Sequence, residues 1–322
     1  MKGTLHKLLL AVAVIICQVT FSVVLTACSS DKEDQQEPTP AADGRKLRHL
    51  TIDGVSLTRA TLTDNGTSVA ASWKAGDVAK CFNYTASNPN LPSSVVGNLT
   101  AADNEETSLF TGEIDCKQDD ELILFYPAKA ITTKKETGEL TYKWYYTIDL
   151  NGQKGTLADV ATNFHYVYGV GRVTSVTGST ANAQINPMKS LLPVCKFTFK
   201  HGDNPIHVKT LQINFVDDIS NMSFPLTTNV ALSTNPDVVN ASFDFSVDNG
   251  TLSVDLSKNV ANDGVVYVAL CPIPAGDSET LKFTVTDDNA VTYTGSVSIK
   301  SGGLQAGKFY KLTKALEQTQ TS

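Results

Sequence analysis

The segment Leu25-Thr26-Ala27-Cys28 carries the most specific chemistry in the chain. It follows a basic start, Lys2 and Lys7, and an apolar run from Leu8 to Val24. A basic start, an apolar stretch and a small-residue site directly before a cysteine resemble the bacterial lipobox. Cleavage there makes Cys28 the first residue and the lipid attachment point. The apolar run falls short of the about 20 residues a spanning helix needs, and it holds Gln18 and Thr20. Each buried CH₂ contributes about 0.8 kcal/mol, so several acyl chains hold a protein on a membrane without a spanning helix.

Other reactive side chains form no catalytic set. His49, His165, His201 and His207 are scattered, although His201 and His207 flank a Gly-Asp-Asn-Pro turn that brings them near each other. Two histidines without a third ligand at metal spacing do not make a metal site. No G-x-S-x-G, H-E-x-x-H or phosphate loop is present. Asp217-Asp218 and Asp287-Asp288 sit where hairpin turns belong, and solvated turns explain them better than calcium. The expectation is a protein that is not an enzyme, with no cofactor, no catalytic residue and no metal.

Outside the leader and Cys28 stand Cys81, Cys116, Cys195 and Cys271, widely spaced and without a C-x-x-C pair. An exported protein is permitted disulfides. Cys195 in LLPVCKFTF and Cys271 in VVYVALCPI nevertheless read as apolar strand positions, so buried free thiols are expected.

The formal charge is −7 over 322 residues, and loss of Lys2 and Lys7 with the leader makes it more negative. That balance argues against nucleic acid as a partner, because phosphate binding needs clustered Lys and Arg. A chain of this length exceeds one ordinary core.

Four regions follow: a leader at 1–27, a flexible tether at 28–49, and two domains at 50–180 and 181–322. The tether is rich in charge, Pro and Gln and offers nothing to a core. The domain change falls in the polar stretch Gly171 to Lys189. Beyond the tether, short apolar alternations separated by Gly, Pro, Asn and Asp predict strands. In the second half Phe197 and Phe283 lie on the apolar sides of alternating strands and should be buried between sheets. Short helical turns fit, for example near Leu157 to Val160.

Tyr142, Trp144, Tyr145 and Tyr146 form the densest aromatic cluster. Trp144 is the candidate sugar platform. The competing reading, a strand packed on both faces, is favoured.

Leu57-Thr58-Arg59-Ala60 followed by Trp73-Lys74-Ala75-Gly76-Asp77 resembles the start of the first domain in fimbrillin-like proteins of Bacteroides-type bacteria. Phe125-Tyr126-Pro127, Tyr267 to Gly276 and Leu304 to Thr313 resemble a strand end, the second domain and the closing strand of that family. The run Asp31, Lys32, Glu33, Asp34 after Cys28 resembles an export signal to the outer face in such bacteria.

The resemblance implies an all-β chain with two transthyretin-like antiparallel β-sandwich domains in tandem. It implies a surface-exposed outer-membrane lipoprotein serving as a structural or adhesive fimbrial subunit. Its partners are then other fimbrial subunits, outer-membrane lipid through Cys28, and surface glycans or proteins of host or bacteria. In major subunits of the family an arginine-specific protease releases an N-terminal segment, and a strand from another subunit fills the groove. Arg45, Arg48 and Arg59 are the candidate cleavage sites here. The alternative function is a surface lipoprotein that binds glycans.

Overall fold

The computed structural model describes residues 44–56, 63–64, 66, 69–70, 72–86, 95–129, 131–135, 142–217, 224–235, 249–256, 263–273, 279–300 and 302–319. Cys28 and Arg59 lie outside them.

The first part of the chain forms β1 (Lys46–Ser56), β2 (Thr63–Asp64), β3 (Val69–Ala70), β4 (Val78–Asn83), β5 (Val96–Ala101) and β6 (Thr107–Cys116). Next come β7 (Glu121–Tyr126), β8 (Ile131–Lys135), β9 (Tyr142–Asp149), a helical turn at Leu157–Asp159 continuing through Val160–Phe164, β10 (Val167–Thr177) and β11 (Thr180–Ile185). The remainder forms β12 (Lys189–Ser190), β13 (Val194–His201), β14 (Asn204–Pro205), β15 (Val208–Asp217), β16 (Phe224–Pro225), β17 (Thr227–Ala231) and β18 (Asn249–Gly250). It ends with β19 (Leu252–Asp255), β20 (Val265–Ala269), β21 (Glu279–Asp287), β22 (Thr292–Ser298), β23 (Phe309–Ala315) and β24 (Glu317–Gln318).

In the first half, strand order β11-β1-β6-β5-β4-β7-β10, with β10 pairing back onto β11, closes a β-barrel. The family resemblance implies a β-sandwich there, and the structure joins the two ends of its sheet. The closing link is β1, antiparallel to β6 and parallel to β11, with His49 opposite Thr180 and Ile52 opposite Ala183. Alternation in β1 turns Leu50 and Ile52 inward. A register shift between Ile52 and Val55, with Gly54 at φ 65°, resets the phase so that Val55 also points in. Such a bulge needs a residue that tolerates left-handed backbone.

The barrel interior is filled. Trp73 packs edge-on against Phe110 and Tyr126, with ring centroids 4.6 and 5.3 Å apart. Its indole N–H donates to the Val55 carbonyl over 2.8 Å. Cys81 and Cys116 lie in this interior as free thiols, and burial pushes the Cys116 thiol up to about 11.

The second half stacks sheets face to face. Phe197 on β13 meets Phe283 on β21 at 5.1 Å, and both are buried, as expected from their alternation. One sheet holds β14, β13, β20 and β23; the other runs β19-β15-β21-β22-β24. Cys195 and Cys271 are buried free thiols, each raised to about 12 by burial.

A third sheet, β17-β9-β8, takes strands from both halves. Tyr146 on β9 stacks on Phe125 of the barrel's outer face at 4.4 Å. The resulting core runs continuously from Phe82 to Leu316, and Arg45–Ser322 form one compact unit. Strand β1 begins at Lys46. The hairpin β10–β11 carries the barrel to Ile185, within the polar stretch Gly171 to Lys189. Its polar composition reflects an outward solvent face, while Val173, Ala181 and Ala183 point in.

Candidate functional site

Three features concentrate the chain's chemistry: the seam around β1, a clasp between the halves, and an open polar cleft.

The seam begins at Arg45. Its guanidinium donates twice to the Asp120 carboxylate, Nε to Oδ2 at 2.7 Å and Nη2 to Oδ1 at 2.6 Å. Asn83 Nδ2 and the Lys117 N–H also donate to Asp120 Oδ2. Asp120 is 1 % exposed and Arg45 8 %, so this is a buried, fully bonded charge pair. Arg48 is buried too; its Nε donates to the Cys116 carbonyl at 2.9 Å and its Nη1 to the Gly178 carbonyl. Arg48 thus bridges the two neighbours of β1, since Cys116 ends β6 and Gly178 turns the β10–β11 hairpin. Both arginines are buried against the barrel, Arg45 directly before β1 and Arg48 within it.

The clasp lies downstream of β1. Tyr267, Lys196 and Lys311 form one cross-strand row on β20, β13 and β23. Asp64 on β2 accepts from Lys196 Nζ at 2.6 Å and from the Tyr267 hydroxyl at 2.8 Å. Lys311 Nζ donates to the Gly66 carbonyl. The Lys196 hydrogen bond holds the Asp64 carboxyl down at about 2, and the same bond raises the Lys196 ammonium. Burial, then the neighbouring carboxylate, raises the Tyr267 phenol.

The cleft, of about 550 Å³, lies between the β13–β14 turn and the β21–β22 turn. His201 and His207, which sequence spacing places near each other, both line it, together with Asp287 and Asp288. Asp287 is committed to its own turn: Oδ1 accepts from the N–H groups of Asn289 and Val291 at 2.9 and 2.8 Å.

Trp144 lies against Phe82 with centroids 5.1 Å apart, and its Nε1 is buried without a hydrogen-bond partner among the described residues. The half-buried indole packs against the core. His49 sits on the surface beside Glu113 at 2.9 Å. Among the described residues no group of three or more His, Cys, Asp and Glu is placed to hold a metal. No helix among them is long and apolar enough to cross a membrane.

Asp120, Asn83, Asp64 and Lys196 escape sequence reading. The Arg45–Asp120 partners stand 75 residues apart and the Asp64–Lys196 partners 132 apart, so no local spacing pairs them.

No family model and no curated protein matches the chain. Among solved structures, a candidate cell adhesion protein from Bacteroides uniformis aligns at TM-score 0.49 and 17% identity, over 87% of this chain and 97% of that one. Another from Bacteroides ovatus aligns at TM-score 0.47 and 14% identity, over 86% and 97%. A C-terminally truncated tip fimbrial protein from Porphyromonas gingivalis aligns at TM-score 0.35 and 8% identity, over 85% and 99%. Likeness at this level assigns neither fold family nor function.

Proposed function

We propose that this chain is a non-catalytic structural or adhesive subunit of a cell-surface fimbria, anchored in the outer membrane by lipid on Cys28. In this reading the barrel is the first of two transthyretin-like sandwich units, the stacked sheets are the second, and the division falls after Ser190. The partners are other subunits of the same kind.

The observation that carries the reading is the place of β1. It is the N-terminal strand of the described chain, it lies just downstream of the polar tether, and it closes the barrel with neighbours on both sides. Its removal would leave backbone donors and acceptors of β6 and β11 unpaired and withdraw Leu50, Ile52 and Val55 from the interior. An unpaired edge beside an apolar groove recruits a strand. The incoming strand has to run antiparallel to β6 and parallel to β11, with apolar residues at the positions that replace the three lost ones.

The candidate arginines differ in what a cut achieves. Cleavage after Arg45 removes tether and leaves β1 whole, and cleavage after Arg48 leaves most of it. Cleavage after Arg59, beyond the last residue of β1 at Ser56, frees the entire strand. Arg59 is therefore the site this reading favours, with the Arg45–Asp120 pair and Arg48 holding β1 until then. The test treats purified mature protein with an arginine-specific protease and follows fragment masses and particle size. Cleavage after Arg59 followed by SDS-resistant ladders, absent in Arg59→Ala, supports the reading. A cleaved protein that stays monomeric with partner subunits added refutes it.

A further inference from the structure

We propose that the cleft between the β13–β14 and β21–β22 turns binds an uncharged saccharide. This goes beyond the assembly reading and stands whether or not the chain polymerises.

The argument starts from what the two turns bring together. Hairpin register sets Asn204 opposite His201, and the short β14 delivers Pro205, Ile206 and His207 to the same wall. The opposite wall is the Asp287-Asp288-Asn289 turn and Tyr293 on β22. The turn is rigid: Asp287 Oδ1 caps two of its N–H groups, and the Tyr293 hydroxyl donates to Asp287 Oδ2 at 3.3 Å. Its carboxylate is therefore spoken for, and Asp288 is the exposed carboxylate of the cleft. The His201 ring is fixed as well. Its Nδ1 lies 3.0 Å from the Leu316 carbonyl, which can only accept, so Nδ1 carries the proton and Nε2 of the neutral ring is an acceptor.

These groups choose a ligand class by elimination and by fit. Among the described residues no Lys or Arg lines the cleft, so phosphate, sulfate and acidic sugars lack a permanent cation to meet. A bare metal ion finds a single uncommitted carboxylate, and no metal-holding group exists among the described residues. A purely apolar ligand leaves the amides, imidazoles and carboxylate without water or partner. A ligand dense in hydroxyl groups supplies both donors and acceptors: donors for Asp288 and His201 Nε2, acceptors for the side-chain amides of Asn204 and Asn289. The His201 and Tyr293 rings, 5.4 Å apart and inclined at 50°, supply an aromatic surface for the C–H face of a sugar ring. The volume of about 550 Å³ lies in the range of small-molecule sites. The sequence singles out the two histidines and the paired aspartates separately; folding places them on facing walls.

Saturation-transfer NMR on the mature full chain tests this, with lactose, cellobiose and N,N′-diacetylchitobiose as probes. The expected result is transfer to the ring protons of at least one sugar. Affinity should fall about tenfold or more in His207→Ala/Asp288→Ala, since the hydrogen bond lost at the charged Asp288 alone is worth about that factor. Both positions are exposed, so the variant should keep the parental melting curve. If it does not, Asp288→Asn takes its place and should weaken binding in the same direction. Absence of transfer from all three sugars overturns the proposal, and so does undiminished transfer in the folded variant.

Discussion

The barrel and the stacked sheets handle their terminal strands in opposite ways. Strand β1 lies between two partners, and alternate side chains, Arg48, Leu50 and Ile52, point inward and are buried. Strand β23, the last long strand before the two-residue β24, pairs in parallel with β13 alone among the described residues, and its side chains alternate between half-buried and exposed. The first half therefore needs its terminal strand to exist as a closed object. The second half adds its terminal strand to a core already formed by Phe197, Phe199 and Phe283. A strand with two partners can be lost only by opening two ladders, which makes it a gate; an edge strand is an attachment.

The largest expected effects probe the two cores. Trp73→Ala in the barrel and Phe283→Ala between the stacked sheets should each cost about 3–5 kcal/mol in urea denaturation. Because β9 and β17 pair across the halves and one core runs through both, each variant should shift a single transition of the whole chain. Two separate transitions would show that the halves are energetically independent and would break the comparison at its root.

Next comes the lock on β1. Asp120→Ala leaves the Arg45 guanidinium buried without its carboxylate, at a cost of about 3–5 kcal/mol. Local opening of β1 should rise more steeply than global unfolding, so hydrogen exchange at Leu50 and Ile52 should accelerate beyond what the melting curve accounts for. Equal acceleration in β13 would mean that the pair supports the fold in general rather than the gate.

A smaller effect separates the clasp from both cores. The Asp64 carboxyl is held at about 2 by Lys196, below its ordinary 3.8. A depressed carboxyl contributes stability in full above its unfolded value and loses it as pH falls toward its folded one. The clasp should therefore weaken between about pH 4 and pH 2, read as a proteolytic cut near residues 64–70 with the barrel intact. Asp64→Asn should remove that pH dependence and cost about 1 kcal/mol at neutral pH. A clasp that opens with the same acid profile in the variant would assign the transition to another group.

Local pattern made a good part of this molecule readable. Alternation in KFTFK and LKFTV placed Phe197 and Phe283 inside, apolar flanks made Cys195 and Cys271 buried thiols, and a helical turn forms near Leu157 as the sequence allows. The spacing of His201 and His207 across a tight turn was sufficient to put them on one wall. These features depend on neighbours within a few residues, where backbone geometry alone decides which side a side chain takes.

Closure was decided elsewhere. Whether a sheet ends as two edges or as a barrel depends on twist accumulated over many strands and on one long-range pairing, that of β1 with β11 across about 130 residues. Separations of 75 and 132 residues hid Asp120 from Arg45 and Asp64 from Lys196, because a charge reads as a solvated surface residue until its partner is known. Polar composition in Gly171 to Lys189 marked a change of domain, and alternate small side chains turned inward make most of it a barrel strand pair. Sequence by itself determined the strands and their inward faces. Only the tertiary structure decided which strand seals the barrel and which charges hold it shut, since both rest on contacts between segments that the chain keeps far apart.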